Sequence, residues 1–118
     1  MSWRDFWNGE HSIYVSPRHK ALHYRAIATD LIGHIPSAEA TVLDHGCGEA
    51  LDAARVAASC GRLYLCEAAP NVRDKLRAQF GRKDTIVVVS PAVVEALPPA
   101  SLDLVVANSL LQYLSRDE

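Results

Sequence analysis

A carboxylate followed by two closely spaced glycines is the feature of this sequence with the clearest chemical potential. The apolar residues Val42 and Leu43 lead into Asp44, and glycines follow at positions 46 and 48. Glycine lets the backbone turn sharply and lets a ligand approach where a Cβ would block it. We expect the alanine-rich stretch that follows to form a helix with free N–H groups at its start. The pattern predicts a strand, a tight turn and a helix around a nucleotide-type ligand.

The glycine spacing separates two classes of nucleotide-binding protein. The dinucleotide fingerprint G-x-G-x-x-G needs a third glycine at position 51, which is Leu51 in this chain. The acidic residue precedes the glycines instead, and this arrangement resembles the first motif of the class I S-adenosylmethionine-dependent methyltransferases. Members of that family usually have a third glycine where this chain has Ala50. An NAD-dependent oxidoreductase is therefore the weaker alternative, and a tight turn that binds no ligand also stays open.

A second carboxylate follows one strand later. The apolar run that begins at Arg62 ends at Glu67, and Pro70 is placed to start a helix. Glu67 lies about 20 residues after the glycine turn, where a doubly wound fold brings the end of its second strand beside that turn. A carboxylate at this place can accept two hydrogen bonds from the ribose hydroxyls of an adenosine.

A third pattern extends the resemblance. Residues 95–114 resemble the methyltransferase pattern in which an acidic-x-Leu-Pro loop leads into a strand and then into a helix that starts Asn-Ser-Leu. The resemblance spans residues 41–114 and favours the "type 11" branch of the family, which methylates small molecules. The residues to which it gives a part in cofactor binding are Asp44, Gly46, Cys47, Gly48, Glu67, Ala68, Val93, Val94 and Asn108.

The resemblance assigns these residues to two ends of S-adenosylmethionine. Asp44 would orient the turn and hold the methionine amino group, residues 46–48 would line the methionine moiety, and the backbone around Asn108 would bind the same end. Glu67 would take the ribose, and Ala68 would pack on the adenine. No catalytic side chain and no metal ligand is assigned.

One departure affects the adenine. The family often has Asp where this chain has Val93, so a side-chain contact to the adenine amino group is missing. The backbone N–H of Val94 would still reach an adenine ring nitrogen. Because Ala50 and Val93 both depart from the family pattern, a non-catalytic binding or oligomerisation module is a further alternative.

The elements that position these residues alternate between strand and helix. Such alternation predicts an α/β fold with a Rossmann-like parallel sheet, and the resemblance implies the strand order 3-2-1-4. A first helix is predicted from residue 17 to about 35, with Leu22 in its apolar stripe. The remaining predictions are strands at 41–45, 62–67, 85–89 and 102–107 and helices at 49–59 and 70–80, the last followed by Gly81 as a left-handed cap.

These elements divide the chain into two parts. Residues 1–40 are predicted to form an N-terminal segment and helix, a possible lid over the cofactor with Tyr14, His23 and Arg25 as candidates. Residues 41–118 are predicted to form a partial cofactor-binding core. With only four predicted strands and a charged C-terminal segment, we expect a sheet truncated before its remaining strands, which leaves an edge that can self-associate.

Composition limits the remaining function classes. The 118 residues carry a formal net charge of −2, and the basic residues around the third helix are typical of a solvated face. The sequence has no apolar segment long enough to span a bilayer and no signal-peptide core. We therefore expect a cytoplasmic enzyme with a small-molecule acceptor and with neither nucleic acid nor membrane as a partner. Three cysteines without C-x-x-C spacing favour neither a metal site nor a disulfide scaffold.

Overall fold

A four-stranded parallel sheet organises the protein. The structure is a computed structural model and describes residues 17–107. Its elements are, in chain order, α1 (Pro17–His34), β1 (Thr41–His45), α2 (Ala53–Ala57), β2 (Arg62–Cys66), α3 (Pro70–Phe80), β3 (Ile86–Val89), α4 (Pro91–Glu95) and β4 (Leu104–Val106).

The strands lie in the order β3-β2-β1-β4, as predicted. All three pairings are parallel, and β1 is central between β2 and β4. The register places Asp44 beside Leu65 of β2 and Val106 of β4. Because the strands are parallel, the loops after β1 and β2 leave from the same edge of the sheet. The glycine turn and Glu67 therefore come together at this carboxyl edge.

One face of the sheet is covered by the first three helices. Their buried residues pack against β1 and β2 in a single apolar cluster that includes Leu31, Val42, Leu63 and Leu76. The α3 helix contributes Val72, Leu76 and Phe80, the stripe predicted from the sequence. Burial of such side chains stabilises the fold by about 1.5–3 kcal/mol each. This packing fixes the strand ends from which the site is built.

The opposite face carries a smaller cluster. Leu43, Cys66 and Val89 are buried there, and Val94 and Leu102 pack against them. Strand β3 contributes to both faces of the sheet, because Ile86 is buried in the first cluster and Val89 in the second, with Val88 and Val87 partly buried beside them. On β4, the side chain of Val105 is 56% exposed. The predicted self-association through this edge stays a prediction.

Four local predictions need correction. Helix α2 has only five residues, since the chain from 49 to 52 forms turns rather than helix. Helix α4 was not predicted, because five residues are too few to establish a helical period. Leu22 is exposed rather than buried, since Tyr24, Ala28 and Leu31 form the inner face of α1. Gly81 caps α3 with φ −62°, so it does not use the left-handed conformation.

Part of the sequence-based interpretation concerns residues outside 17–107. Tyr14 and Asn108 lie outside the described residues. Among the helices of residues 17–107, none combines the length and the apolarity needed to cross a membrane.

Candidate cofactor site

The turn after β1 is built from three left-handed backbone positions at alternate residues. Gly46 and Gly48 have φ values of 72° and 60°, and Ala50 has a φ of 45°. Glycine adopts this conformation readily, whereas an L-residue such as alanine is strained there by about 1–2 kcal/mol. Ala50 occupies the position at which the family pattern has its third glycine, and its backbone keeps the conformation that a glycine would favour.

Four successive backbone N–H groups of this turn already have acceptors within the protein. Those of Gly46 and Cys47 donate to the carbonyl oxygen of Cys66, at 2.9 and 3.1 Å. That of Gly48 donates to Oε2 of Glu67 at 3.0 Å, and that of Glu49 donates to the Tyr24 hydroxyl at 3.1 Å. The expectation that a helix presents free N–H groups directly after the glycines is therefore wrong. The turn is a preformed, internally satisfied wall rather than an anion cradle.

Glu67 is a buried carboxylate with a fixed orientation. The residue is only 5% exposed. Its Oε1 accepts the Ala69 N–H at 3.1 Å, and its Oε2 accepts the Gly48 N–H. The Arg73 guanidinium holds the backbone beneath it by donating to the carbonyl oxygens of Glu67 and Ala68, at 2.8 and 3.0 Å. Each carboxylate oxygen has two acceptor sites, so Glu67 retains capacity for further donors such as ribose hydroxyls.

Asp44 places a second acid near the first. Asp44 is 8% exposed, and burial raises the pKa of its carboxyl to about 7, with the negative charge of Glu67 as the second cause. A nearby cation would favour the ionised form of Asp44, which burial and the neighbouring negative charge disfavour. The carboxyl edge is therefore electrostatically suited to a positively charged ligand.

Cys47 lies within the turn but is not a reactive thiol. It is buried, and its Sγ lies 3.5 Å from the carbonyl oxygen of Gly48. Burial, followed by the charges of Asp44 and Glu67, raises the pKa of Cys47 well above its usual value. Because the thiolate is the nucleophilic form, this environment favours a packing role.

The segment expected to contact adenine lies at the same edge. Ala68 is half-buried after β2, and Val93 on α4 is 45% exposed. The backbone N–H of Val94 is directed to the carbonyl oxygen of Ser90 at 3.4 Å, within the helical turn. This is a long hydrogen bond, so the predicted contact between the Val94 N–H and adenine would compete with a weak partner. The roles of Ala68, Val93 and Val94 stay predictions.

Comparison with known families decides the identity of the fold. The sequence model of a family described as "Methyltransferase domain" matches residues 43–118. The chain belongs to this methyltransferase family. Membership implies S-adenosylmethionine as the cofactor. No protein of curated function matches the chain in sequence.

Solved structures share the fold of this methyltransferase domain. A Methanococcus maripaludis protein assigned as an S-adenosyl-L-methionine-dependent methyltransferase is 21% identical, with a TM-score of 0.62 over 81% of this chain and 46% of its own. A precorrin-6y C5,15-methyltransferase from Geobacter metallireducens is 16% identical, with a TM-score of 0.58 over 88% of this chain and 56% of its own. At these identities the similarity establishes the fold alone.

A third structure corrects the expected partners. The 23S rRNA methyltransferase ErmE is 23% identical, with a TM-score of 0.54 over 64% of this chain and 32% of its own. The prediction of a small-molecule acceptor with nucleic acid excluded is therefore wrong, because the same fold occurs in a protein named for methylation of RNA. The chain spans about a third to just over half of the length of these three structures.

The methyltransferase domain also contains site residues that sequence reasoning missed. Tyr24 and Lys20 of α1 both contact Glu49, and Arg73 of α3 holds the backbone at Glu67. The spacing of Lys20, Tyr24 and Ala28 was the available signal, since residues four apart share a helix face. Two of the predicted lid residues lie on this helix. Arg25 is exposed, and the ring centroid of His23 lies 5.5 Å from that of Tyr24.

Proposed function

We propose that this chain forms the cofactor-binding part of an S-adenosylmethionine-dependent methyltransferase. One observation carries the proposal: two buried carboxylates, Asp44 and Glu67, lie at the carboxyl edge of a parallel sheet beside a left-handed glycine turn. Ligands of open α/β sheets bind at this edge, near the point where the strand order reverses. In this sheet β2 and β3 lie on one side of β1 and β4 lies on the other, so the order reverses between β1 and β4.

The charge of the site supports a cationic ligand. S-adenosylmethionine carries a sulfonium and an ammonium group, and a cation near Asp44 favours the ionised carboxylate that burial disfavours. The methionine end would lie along residues 46–48, with its ammonium group toward Asp44. Binding would thus place a cation beside the buried carboxyl of Asp44, whose ionisation burial and Glu67 disfavour.

Glu67 supports recognition of the ribose. Its two backbone hydrogen bonds fix the carboxylate before a ligand arrives, so little orientation is lost on binding. The remaining acceptor sites on the two oxygens suit a pair of hydroxyl donors. The adenine would then lie between Ala68 and the apolar side chain of Val93, with packing in place of the missing acidic contact.

NAD, the alternative ligand, fits this site less well. Its pyrophosphate is anionic and needs backbone N–H donors at the glycine turn. The N–H groups of residues 46–49 are all directed to protein acceptors, and the nearby side chains of Asp44 and Glu67 are acids. Both features oppose an anion and favour a cation.

The chemistry needs little from the protein beyond binding. The cofactor supplies a methyl group on a sulfonium, which leaves readily when a nucleophile is aligned with it. The part of this chain would be to fix the two ends of the cofactor through Asp44, Glu67 and the glycine turn. We assign no general base.

Titration calorimetry with S-adenosylmethionine and with NAD tests the proposal. We expect S-adenosylmethionine to bind and NAD not to bind. Glu67→Gln should weaken S-adenosylmethionine at least about tenfold, since charge-assisted hydrogen bonds are about twice as strong as neutral ones. The matched control is Glu39→Gln, which changes an exposed carboxylate at the opposite edge of the sheet. Binding of NAD alone, or unchanged affinity in Glu67→Gln, would contradict the proposal.

A further inference from the structure

Tyr24 lies against the glycine turn from outside the sheet. It is a buried residue of α1, 7% exposed, and its hydroxyl oxygen accepts the Glu49 N–H at 3.1 Å. A Cβ placed on Gly48 would be 2.7 Å from the same hydroxyl oxygen. A side chain at position 48 would therefore displace the Tyr24 hydroxyl.

The preceding turn of the same helix makes a second contact with the same residue. Lys20 Nζ lies 2.7 Å from Oε2 of Glu49, and both side chains are about one-third exposed. Lys20 and Tyr24 are four residues apart, so they project from one face of α1. This partly buried ion pair holds the side chain of Glu49, the residue whose N–H donates to Tyr24.

Two successive N–H groups are therefore fixed from two directions. Glu67, at the end of β2, accepts the N–H of Gly48, and Tyr24, on α1, accepts the N–H of Glu49. A left-handed glycine has many alternative conformations, so a turn of this kind needs external restraints to keep one shape. Affinity rises when a binding loop is ordered before the ligand arrives.

We infer that Tyr24 is a positioning residue that sets the glycine turn for the methionine end of the cofactor. The inference rests on the proposed function, which places the methionine moiety along residues 46–48. The adenosine end uses different elements, because Glu67 and Ala68 follow β2 and Val93 lies on α4. Loss of the Tyr24 hydroxyl should therefore affect ligands that have a methionine end and spare those that lack one.

Titration calorimetry of Tyr24→Phe with S-adenosylmethionine and with adenosine tests this selectivity. We expect S-adenosylmethionine to bind about three- to tenfold more weakly, as for loss of one hydrogen bond, and adenosine to bind as before. Amide exchange of Glu49, followed by NMR without ligand, should accelerate because its acceptor is gone. The ring is retained in this variant, so its packing against the core is preserved.

Thr29→Val is the matched control. Its hydroxyl oxygen accepts a hydrogen bond from Arg55 Nη2 at 3.1 Å, so the variant removes a polar link that joins α1 to α2 and not to the glycine turn. We expect Thr29→Val to leave both ligands and the Glu49 amide unchanged.

Three results would overturn the inference while the proposed function stands. In the first, Tyr24→Phe binds S-adenosylmethionine as tightly as the wild type does. In the second, Tyr24→Phe weakens the binding of S-adenosylmethionine and of adenosine equally. In the third, Thr29→Val changes the two affinities as much as Tyr24→Phe does. If the unmodified protein binds no S-adenosylmethionine, the proposed function fails and this inference fails with it.

Discussion

The two ends of β1 each lie next to an aspartate, and the two aspartates differ in almost every physical respect. At the amino end, exposed Asp103 accepts the Thr41 N–H at 2.8 Å and returns its own N–H to the Thr41 carbonyl oxygen at 2.8 Å. At the carboxyl end, Asp44 is buried near Glu67 and has a raised pKa. Asp103 links β4 to β1 through its hydrogen bonds with Thr41. Asp44 is a buried acid whose ionised form a nearby cation would stabilise.

The backbone around the two edges does not share this contrast. Each edge has an alanine in the left-handed region, Ala50 after the glycine turn and Ala100 before β4. Each also has a glycine at which a Cβ would be crowded, Gly48 against Tyr24 and Gly61 against the carbonyl oxygen of Glu39. Backbone strain and crowding are thus not by themselves signs of a ligand site. What distinguishes the carboxyl edge is the pair of buried acids.

The largest expected effect comes from Gly48→Val. The new side chain must displace Tyr24 and adopt a φ of 60°, so both the turn and the space for the methionine moiety are lost. We expect S-adenosylmethionine binding to disappear in titration calorimetry. Gly61→Ala at the amino edge should destabilise the fold by about 1–3 kcal/mol in denaturant unfolding and leave cofactor affinity unchanged. Loss of binding in both variants would remove the distinction between the edges.

Cofactor affinity should depend on pH through Asp44. The cation favours the ionised carboxylate, so binding releases a proton when Asp44 is protonated beforehand. Affinity for S-adenosylmethionine should therefore fall as pH decreases below about 7, by up to about tenfold per pH unit, and should level off above it. Asp44→Asn should flatten this profile and Asp103→Asn should not. A profile without a break near neutrality in the wild type would argue against a role for Asp44.

The stability of the protein without cofactor should show the opposite dependence. The pKa of Asp44 is raised on folding, so the folded state binds the proton more tightly than the unfolded state. Stability is then highest below the unfolded pKa of about 4 and is lost as pH rises toward 7. The change in the free energy of unfolding caused by Asp44→Asn should be more favourable at pH 8 than at pH 4, by a few kcal/mol. Urea unfolding at the two pH values measures this difference. Asp103→Asn is the control at the other edge.

The smallest expected effect is that of Ala50→Gly. Glycine relieves the left-handed strain, partly offset by its greater freedom in the unfolded chain, so stability should rise by about 1 kcal/mol or less. Ala100→Gly should give a similar increase. Only Ala50→Gly should affect cofactor affinity, with binding retained or modestly improved. A loss of affinity in Ala50→Gly would indicate that the methyl group of Ala50 itself contributes to the site.

The sequence predicted the sheet well because its signals are local. Each central strand is a short apolar run, and α3 has Pro70 at its start and three apolar residues spaced four apart. The juxtaposition of Asp44 and Glu67 also followed, since parallel strands end at one edge. These features need no knowledge of how helices approach the sheet.

The contacts of the glycine turn were not predictable in the same way. The Tyr24 hydroxyl accepts an N–H from a residue 25 positions away, and that contact depends on how α1 packs against the core. The free N–H groups were wrongly expected because an alanine-rich stretch favours helix, yet the chain forms turns until Ala53. Helix α4 has Ser90 and Pro91 at its start, but its five residues show no period.

Direct measurement of the Asp44 pKa tests the central claim that the buried acids receive a cationic cofactor. Carboxyl-carbon NMR can follow the titration of Asp44 without ligand and with saturating S-adenosylmethionine. We predict a pKa of about 7 in the free protein and a clearly lower value in the complex. An ordinary aspartate pKa in the free protein, or a raised value that S-adenosylmethionine leaves unchanged, would contradict it.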